Sequence, residues 1–371
     1  LRGVAALGVV IFHAHYGPAL DWMWRFVDLF FVLSGFLITR IILEALRRDV
    51  FSLRNFMMRR VLRIWPVYYL TLVLCLLAAS GRALLTGEID HFSGAASAPF
   101  FLQYVHHYFS PGLHAGEENF ILWFHHSWSI AVEEQFYLLM PLLLIVFKTR
   151  LRVALVVMLM LIPVAVYYRS SGAFFWLLIS RVDALSIGVA LAFYWHAKRH
   201  RFKNSADEVT SHSLQVEILP WHTAMVIIIG LSLVAQNALS LELCSPGWRN
   251  GLSLFGYNLL FGATVLILVE GWLPHLNKVL SSNPLLFLGS ISYALYVFHV
   301  PIRGAILFIT KNTHISESPI WIQAFYFGSA ITAAYLSKIL LEDRVETYKQ
   351  YPWLIEAVFI VYCHAIDPRT L

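Results

Sequence analysis

Charged residues are scarce in this sequence. Of its 371 residues, 13% are Asp, Glu, Lys or Arg and 59% are hydrophobic, and the mean hydropathy is +0.67. This composition leaves too little polar surface to cover a water-soluble globule. It therefore excludes an ordinary soluble domain. The sequence therefore predicts an all-α, polytopic integral membrane protein. The formal net charge of +5 comes without a basic run interleaved with aromatic residues, so nucleic acid is not an expected partner.

Cysteine is sparse as well, and familiar enzyme motifs are missing. The three cysteines, Cys75, Cys244 and Cys363, lie far apart and form no Cys-x-x-Cys pair, which predicts neither a disulfide framework nor a metal site. The HExxH, G-x-S-x-G, Walker, G-x-G-x-x-G and His-x-x-x-x-Asp motifs are absent too. Six histidines lie between positions 91 and 126, but their adjacent pairs diverge on a helix, which disfavours metal binding. We therefore expect no bound metal or cofactor.

Long apolar runs predict ten membrane-spanning helices. Their approximate ranges are 1–20, 24–46, 65–79, 121–147, 153–168, 174–195, 221–240, 251–270, 285–309 and 320–341. These helices define a predicted transmembrane domain over residues 1–345. In the C-terminal tail, 346–371, the apolar stretch 353–363 is too short to span a membrane, and we expect it to lie at the interface.

Positive charge is concentrated in three of the predicted loops. Residues 47–63, 148–152 and 196–203 carry thirteen Lys and Arg, whereas the loops assigned to the other side carry four: Arg82, Arg169, Arg249 and Lys311. The positive-inside rule therefore predicts that both termini are cytoplasmic. His13 and the Glu133-Glu134 pair then lie in the outer half of the membrane.

The first predicted helix carries an arginine and a histidine. Arg2 and His13 are eleven positions apart, so they share one helix face and lie about 16 Å apart along its axis. A charged side chain within a span usually faces a bundle interior or a polar cavity. His13 is either a buried histidine bonded to a neighbouring helix or a catalytic base, and Arg2 alone would be explained by snorkelling to the headgroups.

Further polar residues interrupt the later spans. The adjacent carboxylates Glu133 and Glu134 diverge by about 100°, so one of them at most points at a shared site. Structural and catalytic roles both remain open for this pair. Ser34 beside Gly35 either packs helices closely or lines a substrate path. Four further intramembrane residues have either a structural role or a role in substrate binding: Arg181, Asp183, Tyr293 and His299.

Six segments in order carry a resemblance to a known family. They are LRGVAALGVVIFHAH, FFVLSGFLI, RRVLRIWPVYYL, SWSIAVEEQFYLLMP, SRVDALSIGVALA and LGSISYALYVFHVPI, and they extend over residues 1 to about 302. With these motifs the chain resembles the membrane-bound acyltransferase-3 family, which includes bacterial O-acetyltransferases of cell-surface polysaccharides. This sequence departs from the family pattern at LLEDRVETY, residues 340–348. At this place members of the family commonly have an acidic residue that is soon followed by proline.

The resemblance implies a ten-helix enzyme of the bacterial inner membrane. It would move an acyl group, commonly acetyl, from cytoplasmic acyl-CoA as co-substrate to a hydroxyl of a carbohydrate or lipid-linked glycan. Carried over by motif, Arg2 and His13 become the essential pair, and Glu133 and Glu134 supply the motif carboxylate. The remaining implied donor- or substrate-binding residues are the motif serines Ser127 and Ser129 and the arginine cluster Arg59, Arg60 and Arg63.

Histidine suits this chemistry because it titrates near neutral pH, where a base must accept the proton of the acceptor hydroxyl. An acyl-histidine intermediate is an open variant of the same mechanism. Two alternatives use the same residues differently. One is a transporter or flippase for an anionic or glycan-linked substrate, and the other is a non-catalytic membrane scaffold; the sequence does not fix the oligomeric state.

Overall fold

The structure is a computed structural model. It describes residues 1–14, 18–87, 98–101, 123–172, 176–204, 221–239, 244–312 and 320–348. The predicted interfacial stretch 353–363 lies outside these residues, and so do four of the six clustered histidines, His91, His106, His107 and His114. The predicted boundary between domain and tail therefore stays a prediction.

Twelve α-helices are present in the described residues: α1 Arg2–His13, α2 Phe26–Arg47, α3 Leu53–Thr86, α4 Trp128–Val146, α5 Leu151–Ser170, α6 Val182–Asn204, α7 Trp221–Ala238, α8 Pro246–Glu270, α9 Pro274–Leu280, α10 Asn283–Asn312, α11 Ile320–Ser337 and α12 Asp343–Tyr348. Short 3-10 segments precede α2 (Pro18–Arg25), α4 (His125–Ser127) and α6 (Leu178–Ser180). A π-helical turn, Lys338–Glu342, joins α11 to α12.

Eight of these helical segments are long and apolar enough to cross a membrane, which confirms the polytopic, all-α prediction. They are Ala19–Arg47, Leu53–Leu84, His125–Val146, Leu151–Ser170, Trp221–Ala238, Pro246–Glu270, Asn283–Thr310 and Ile320–Val345. Of the ten predicted spans, the first and the sixth fall short within the described residues. The helix α1 has only twelve residues, and α6 carries Asp183 in its first turn and basic residues near its end.

The ends of three helices differ from the sequence-based prediction. The first helix ends at His13 rather than near position 20, and a 3-10 segment begins at Pro18, a residue that disfavours helix at the position before it. The third helix begins at Leu53, inside the predicted loop 47–63 and more than one helical turn before that loop ends. It begins there because Ser52 caps it by accepting a hydrogen bond from the amide of Asn55. The sixth helix begins only at Val182, after a 3-10 segment.

The chain divides into two compact units. The first draws its described residues from Leu1–Val50, Phe101–Leu113 and Trp128–Gly289, and so contains α1, α2, α4 to α9 and the start of α10. The second draws on Phe51–Phe100, His114–Ser127 and Ser290–Leu371, and contains α3, the rest of α10, α11 and α12. The boundary between the units thus falls within α10, after Gly289.

Two glycines let α2 and α6 cross at backbone contact in the first unit. A Cβ on Gly35 would lie 2.2 Å from the carbonyl oxygen of Leu185, and one on Gly188 would lie 2.2 Å from that of Val32. Small residues permit this close approach between membrane helices. Gly35 therefore packs the two helices closely, which is one of the two alternatives for Ser34 and Gly35.

We predict that Gly35→Ala destabilises the first unit, because backbone atoms cannot move aside for the added methyl group. Overpacking of this kind costs about 1–3 kcal/mol, so the thermal unfolding midpoint of the purified protein in detergent should fall. The matched control is Gly328→Ala in α11, where an added Cβ meets nothing within 4 Å. Equal midpoints for the two variants would contradict this account of the crossing.

Candidate active site

The helix α1 carries Arg2 at its first residue and His13 at its last. Close packing holds both of its halves within the first unit. A Cβ on Gly3 would lie 2.7 Å from the amide nitrogen of Gly289 at the start of α10, and one on Gly8 would lie 2.2 Å from the ring of Phe26 in α2. The backbone that presents Arg2 and His13 is therefore fixed in two places.

The histidine ring has a defined orientation. The Nδ1 atom of His13 lies 3.0 Å from the carbonyl oxygen of Val9, one helical turn earlier, and the ring packs edge-on against Phe12 with centroids 4.8 Å apart. A carbonyl oxygen only accepts hydrogen bonds, so Nδ1 carries the proton in this contact. In the neutral ring the basic lone pair then belongs to Nε2. The side chain is half-buried.

Arg2 is half-buried at the opposite end of α1. Its Nε atom is buried and has no hydrogen-bond partner among the residues that the structure describes. Buried polar groups in proteins are nearly always paired, so this guanidinium nitrogen is an exception among the described residues. Because Arg2 lies about 16 Å along the axis from His13, the two side chains do not meet at one reacting atom.

A hydroxyl–carboxylate cluster joins α2 to α4. The Oγ of Ser34 donates to one carboxylate oxygen of Glu133 at 2.6 Å, and the Oη of Tyr137 donates to the other at 2.8 Å. The two hydroxyl oxygens are 3.4 Å apart. Hydrogen bonds from O–H groups to a carboxylate are short and strong. We call these three residues the Ser34–Glu133–Tyr137 cluster.

This cluster separates the two adjacent glutamates. Glu133 faces Ser34 and shares a helix face with Tyr137, four residues later, whereas Glu134 is half-buried about 100° around the helix. Glu133 is thus the carboxylate of the pair that meets Ser34 and Tyr137. Tyr137 was not predicted, and its only signal in the sequence is its i, i+4 spacing from the glutamate.

Two buried ion pairs lie in the same unit. Arg181 bonds both oxygens of Asp28 at 3.1 and 3.2 Å, and Asp183 pairs with Arg169 at 2.6 and 3.1 Å. Asn258 of α8 also donates to Asp183, at 2.9 Å. All four charged side chains are fully buried. Arg181 and Asp183 therefore find separate partners rather than each other, and their environment is that of a structural core.

Arg169 needs a correction. The sequence-based interpretation counted it as a charge in an outer loop, but it lies in the last turn of α5 and is buried against Asp183. The loop interpretation failed because the polar residues Ser170 and Ser171 follow it directly. Asp28, the partner of Arg181, was also missed, although a single carboxylate in the apolar run FVDLFFVLSGF signals a buried cation elsewhere.

The arginine cluster lies on a helix rather than in the predicted loop. Arg59, Arg60 and Arg63 all belong to the second unit and to the first three turns of α3. Arg59 and Arg63 are exposed, whereas Arg60 is half-buried with its guanidinium 5.6 Å from the ring centroid of Phe56. Arginine is a good helix former, which explains the early start of α3.

Of the four remaining predicted residues, Tyr293 is half-buried and the other three are buried. Ser127 ends the 3-10 segment before α4, and Ser129 lies in the first turn of α4; both are buried. In the second unit, the hydroxyl of Tyr293 donates to the carbonyl of Ile64 at 2.7 Å. His299 lies against His126, with ring centroids 5.3 Å apart, and bonds the carbonyl of Tyr296. Tyr293 and His299 thus have structural hydrogen bonds.

Metal ligation finds no support in the described part of the chain. Within those residues no three His, Cys, Asp or Glu side chains converge closely enough to hold an ion.

Of the predicted site residues, the structure brings together Ser34 and Glu133 within the first unit. Arg2 and His13 occupy the two ends of α1, while Arg181 and Asp183 form core ion pairs.

Comparison with known proteins identifies the family. The sequence profile of the acyltransferase-3 family, described as an acyltransferase domain, matches residues 1–338. The chain therefore belongs to the acyltransferase-3 family, which confirms the resemblance drawn from the six motifs. No solved structure matches the chain.

Individual relatives are bacterial and longer than this chain. It is 28% identical to the putative peptidoglycan O-acetyltransferase YrhL of Bacillus subtilis (strain 168), over 86% of the chain and 50% of that protein. It is also 28% identical to the peptidoglycan O-acetyltransferase OatA of Listeria monocytogenes serovar 1/2a, over 93% of the chain and 54% of that protein. A putative O-acetyltransferase of Staphylococcus aureus (strain COL) is 25% identical, over 95% and 58%. The chain thus spans a little over half the length of these curated relatives.

We predict that Asp28→Asn destabilises the protein, because it removes the carboxylate charge that pairs with the fully buried Arg181. Breaking a buried pair in this way costs about 3–5 kcal/mol, so the yield of folded protein and its unfolding midpoint in detergent should both fall. Asp49→Asn is the matched control, since Asp49 is exposed and its pair with Lys148 should contribute little. If both variants unfold like the native protein, the buried pair is not structural.

Proposed function

We propose that this chain is a membrane O-acetyltransferase that moves an acetyl group from acetyl-CoA to a hydroxyl of a cell-wall glycan. Family membership supports acyl transfer, and the relatives named as peptidoglycan O-acetyltransferases support a glycan acceptor. The observation that carries the proposal is the orientation of His13, whose Nδ1–H bond to Val9 leaves the lone pair on Nε2.

In the proposed reaction His13 is the general base. Its Nε2 takes the proton of the acceptor hydroxyl while the hydroxyl oxygen attacks the thioester carbonyl carbon. The carbon–sulfur bond then breaks, and the coenzyme A thiolate leaves and takes up a proton. A neutral imidazole suits this task because it binds a proton near physiological pH.

Arg2 has a different role in this proposal. It lies about 16 Å along α1 from His13, which is too far for both side chains to act on the reacting carbonyl. Acetyl-CoA is a long molecule whose phosphates are remote from its thioester, and guanidinium groups suit phosphates. Arg2 is therefore assigned to a distant part of the donor. The positive-inside rule predicts a cytoplasmic N-terminus, and with that topology Arg2 lies on the donor side of the membrane.

The Ser34–Glu133–Tyr137 cluster supplies an oriented carboxyl group in the first unit. With both oxygens accepting hydroxyl hydrogen bonds, Glu133 is held in one orientation. We assign to it the binding of an acceptor hydroxyl or the orientation of the protonated His13. Glu134, on another helix face, has no such role in this proposal.

Transport of an anionic or glycan-linked substrate is the competing function. It was based on Arg2, Arg181 and the carboxylates as a polar path, but Arg181 is fully buried and bonded to Asp28. Transport also requires no acyl donor, so the two functions make opposite predictions about thioester consumption.

We predict that His13→Ala abolishes acetyl transfer without unfolding the protein. The assay is acetyl-CoA consumption by purified protein in detergent, with and without peptidoglycan fragments as acceptors. Loss of a general base lowers such rates by about 10²–10⁴-fold. The control is His275→Ala, which removes an exposed histidine and should retain native turnover. Native-like turnover by folded His13→Ala would refute the assignment of the base, and acceptor movement without thioester consumption would favour transport.

The two glutamates provide a separate prediction. Glu133→Gln replaces one hydrogen-bond acceptor with an amide donor that faces a hydroxyl group. We therefore expect turnover to fall by about tenfold or more, which corresponds to the loss of one charge-assisted hydrogen bond. Glu134→Gln is the matched control at the adjacent position and should have the smaller effect. The opposite order of effects, measured at equal folded yield, would transfer the proposed role to Glu134.

A further inference from the structure

Two arginines meet one indole ring in the first unit. The guanidinium carbon of Arg40, on α2, lies 5.0 Å from the ring centroid of Trp195, and that of Arg199 lies 4.9 Å from the same ring. Trp195 and Arg199 are one turn apart on α6. Trp195 and Arg40 are half-buried, while Arg199 is exposed. Two like charges therefore lie beside one ring, at a site that solvent or lipid can reach.

Carboxylates on these and adjoining helices bond other cations. Glu44 accepts hydrogen bonds from both Arg47 and Arg48, and Glu270 pairs with Lys198. Across the stretches of chain that the structure describes, neither Arg40 nor Arg199 takes part in an ion pair. Their mutual repulsion is therefore not offset by a described acidic side chain.

The helix crossing fixes the relative position of these groups. From the contact of Gly35 with Gly188, Arg40 is five residues further along α2 and Trp195 seven residues further along α6, which is about 8 and 10 Å along the two axes. The guanidinium of Arg40 also lies 5.6 Å from the ring of Phe36. Contact with two aromatic rings restrains Arg40 before any ligand arrives.

We propose that Arg40 and Arg199 bind one phosphate group beside the Trp195 ring. Guanidinium groups match phosphate oxygens in geometry, and an anion between two arginines removes their repulsion. Tryptophan is enriched at membrane interfaces, and the basic residues near the ends of α2 and α6 predict that this end faces the cytoplasm. The phosphate belongs either to an acidic phospholipid headgroup or to the nucleotide part of the thioester donor; only the second source rests on the proposed function.

The first experiment tests the lipid source. Binding of phosphatidylglycerol and of phosphatidylcholine to the full chain is measured by native mass spectrometry, for the native protein and for Arg40→Gln, Arg199→Gln and the double variant. The control is Arg48→Gln, which changes an exposed arginine directly after α2 that is bonded to Glu44. General attraction to acidic lipid contributes about fivefold per arginine, so the control sets the baseline for a specific site.

The second experiment tests the nucleotide source. The KM of acetyl-CoA and that of acetyl-dephospho-CoA, which lacks the 3′-phosphate, are compared in the same set of variants. If the donor phosphate binds here, the double variant loses the preference for acetyl-CoA while Arg48→Gln keeps it. His13→Ala should abolish turnover without changing lipid binding, so failure of the proposed function is distinguishable from failure of this site.

Either of two results supports the phosphate site. In the first, the double variant binds phosphatidylglycerol about tenfold more weakly than Arg48→Gln does. A loss of this size corresponds to about one hydrogen bond to a charged group. The other is the loss of discrimination for the 3′-phosphate. The proposal is overturned if the double variant matches Arg48→Gln in both experiments, because Arg40 and Arg199 would then be ordinary interfacial arginines.

Discussion

Two arginines and two aspartates are enclosed completely within the first unit, and pairing of opposite charges is the constraint on which the arrangement of its helices depends. Asp28 on α2 requires Arg181 before α6, and Arg169 on α5 requires Asp183 on α6, with Asn258 of α8 completing the second pair. Since an unpaired charge in an apolar interior is expensive, these helices have little freedom to slide or rotate. The glycine contacts of α2 with α6 then bring the backbones as close as they can come.

That rigid frame gives the candidate site its geometry. The α2 helix, held by Asp28 and Gly35, also presents Ser34 to Glu133, and the ring of Phe26 at its start lies against Gly8 of α1. The α1 helix is thereby fixed with Arg2 at one end and His13 at the other. Catalysis by preorganised groups needs side chains on such supported elements. In the proposed enzyme, the structural charges and the reacting groups are therefore different residues on connected helices.

Much of the fold follows from the sequence, because apolar length alone identifies membrane helices. Helix ends were harder: α1 ends at His13, earlier than its apolar run predicts, and the early start of α3 depends on the cap at Ser52. Residue partners were harder still. The intramembrane charges Arg181 and Asp183 were visible in the sequence, but which opposite charge each one meets depends on how α2, α5 and α6 pack. The contact of Arg40 with Trp195, on different helices, depends on that packing too.

The central claim is that Nε2 of His13 accepts the proton of the acceptor hydroxyl. Its most direct test is the pH dependence of acetyl transfer at saturating acetyl-CoA, measured for the native protein and for His13→Gln. A base acts only when it is unprotonated, so the native rate should rise with pH through the titration of an imidazole near neutrality. The residual rate of His13→Gln should lack this rise. An unchanged rise in His13→Gln would show that another group takes the proton.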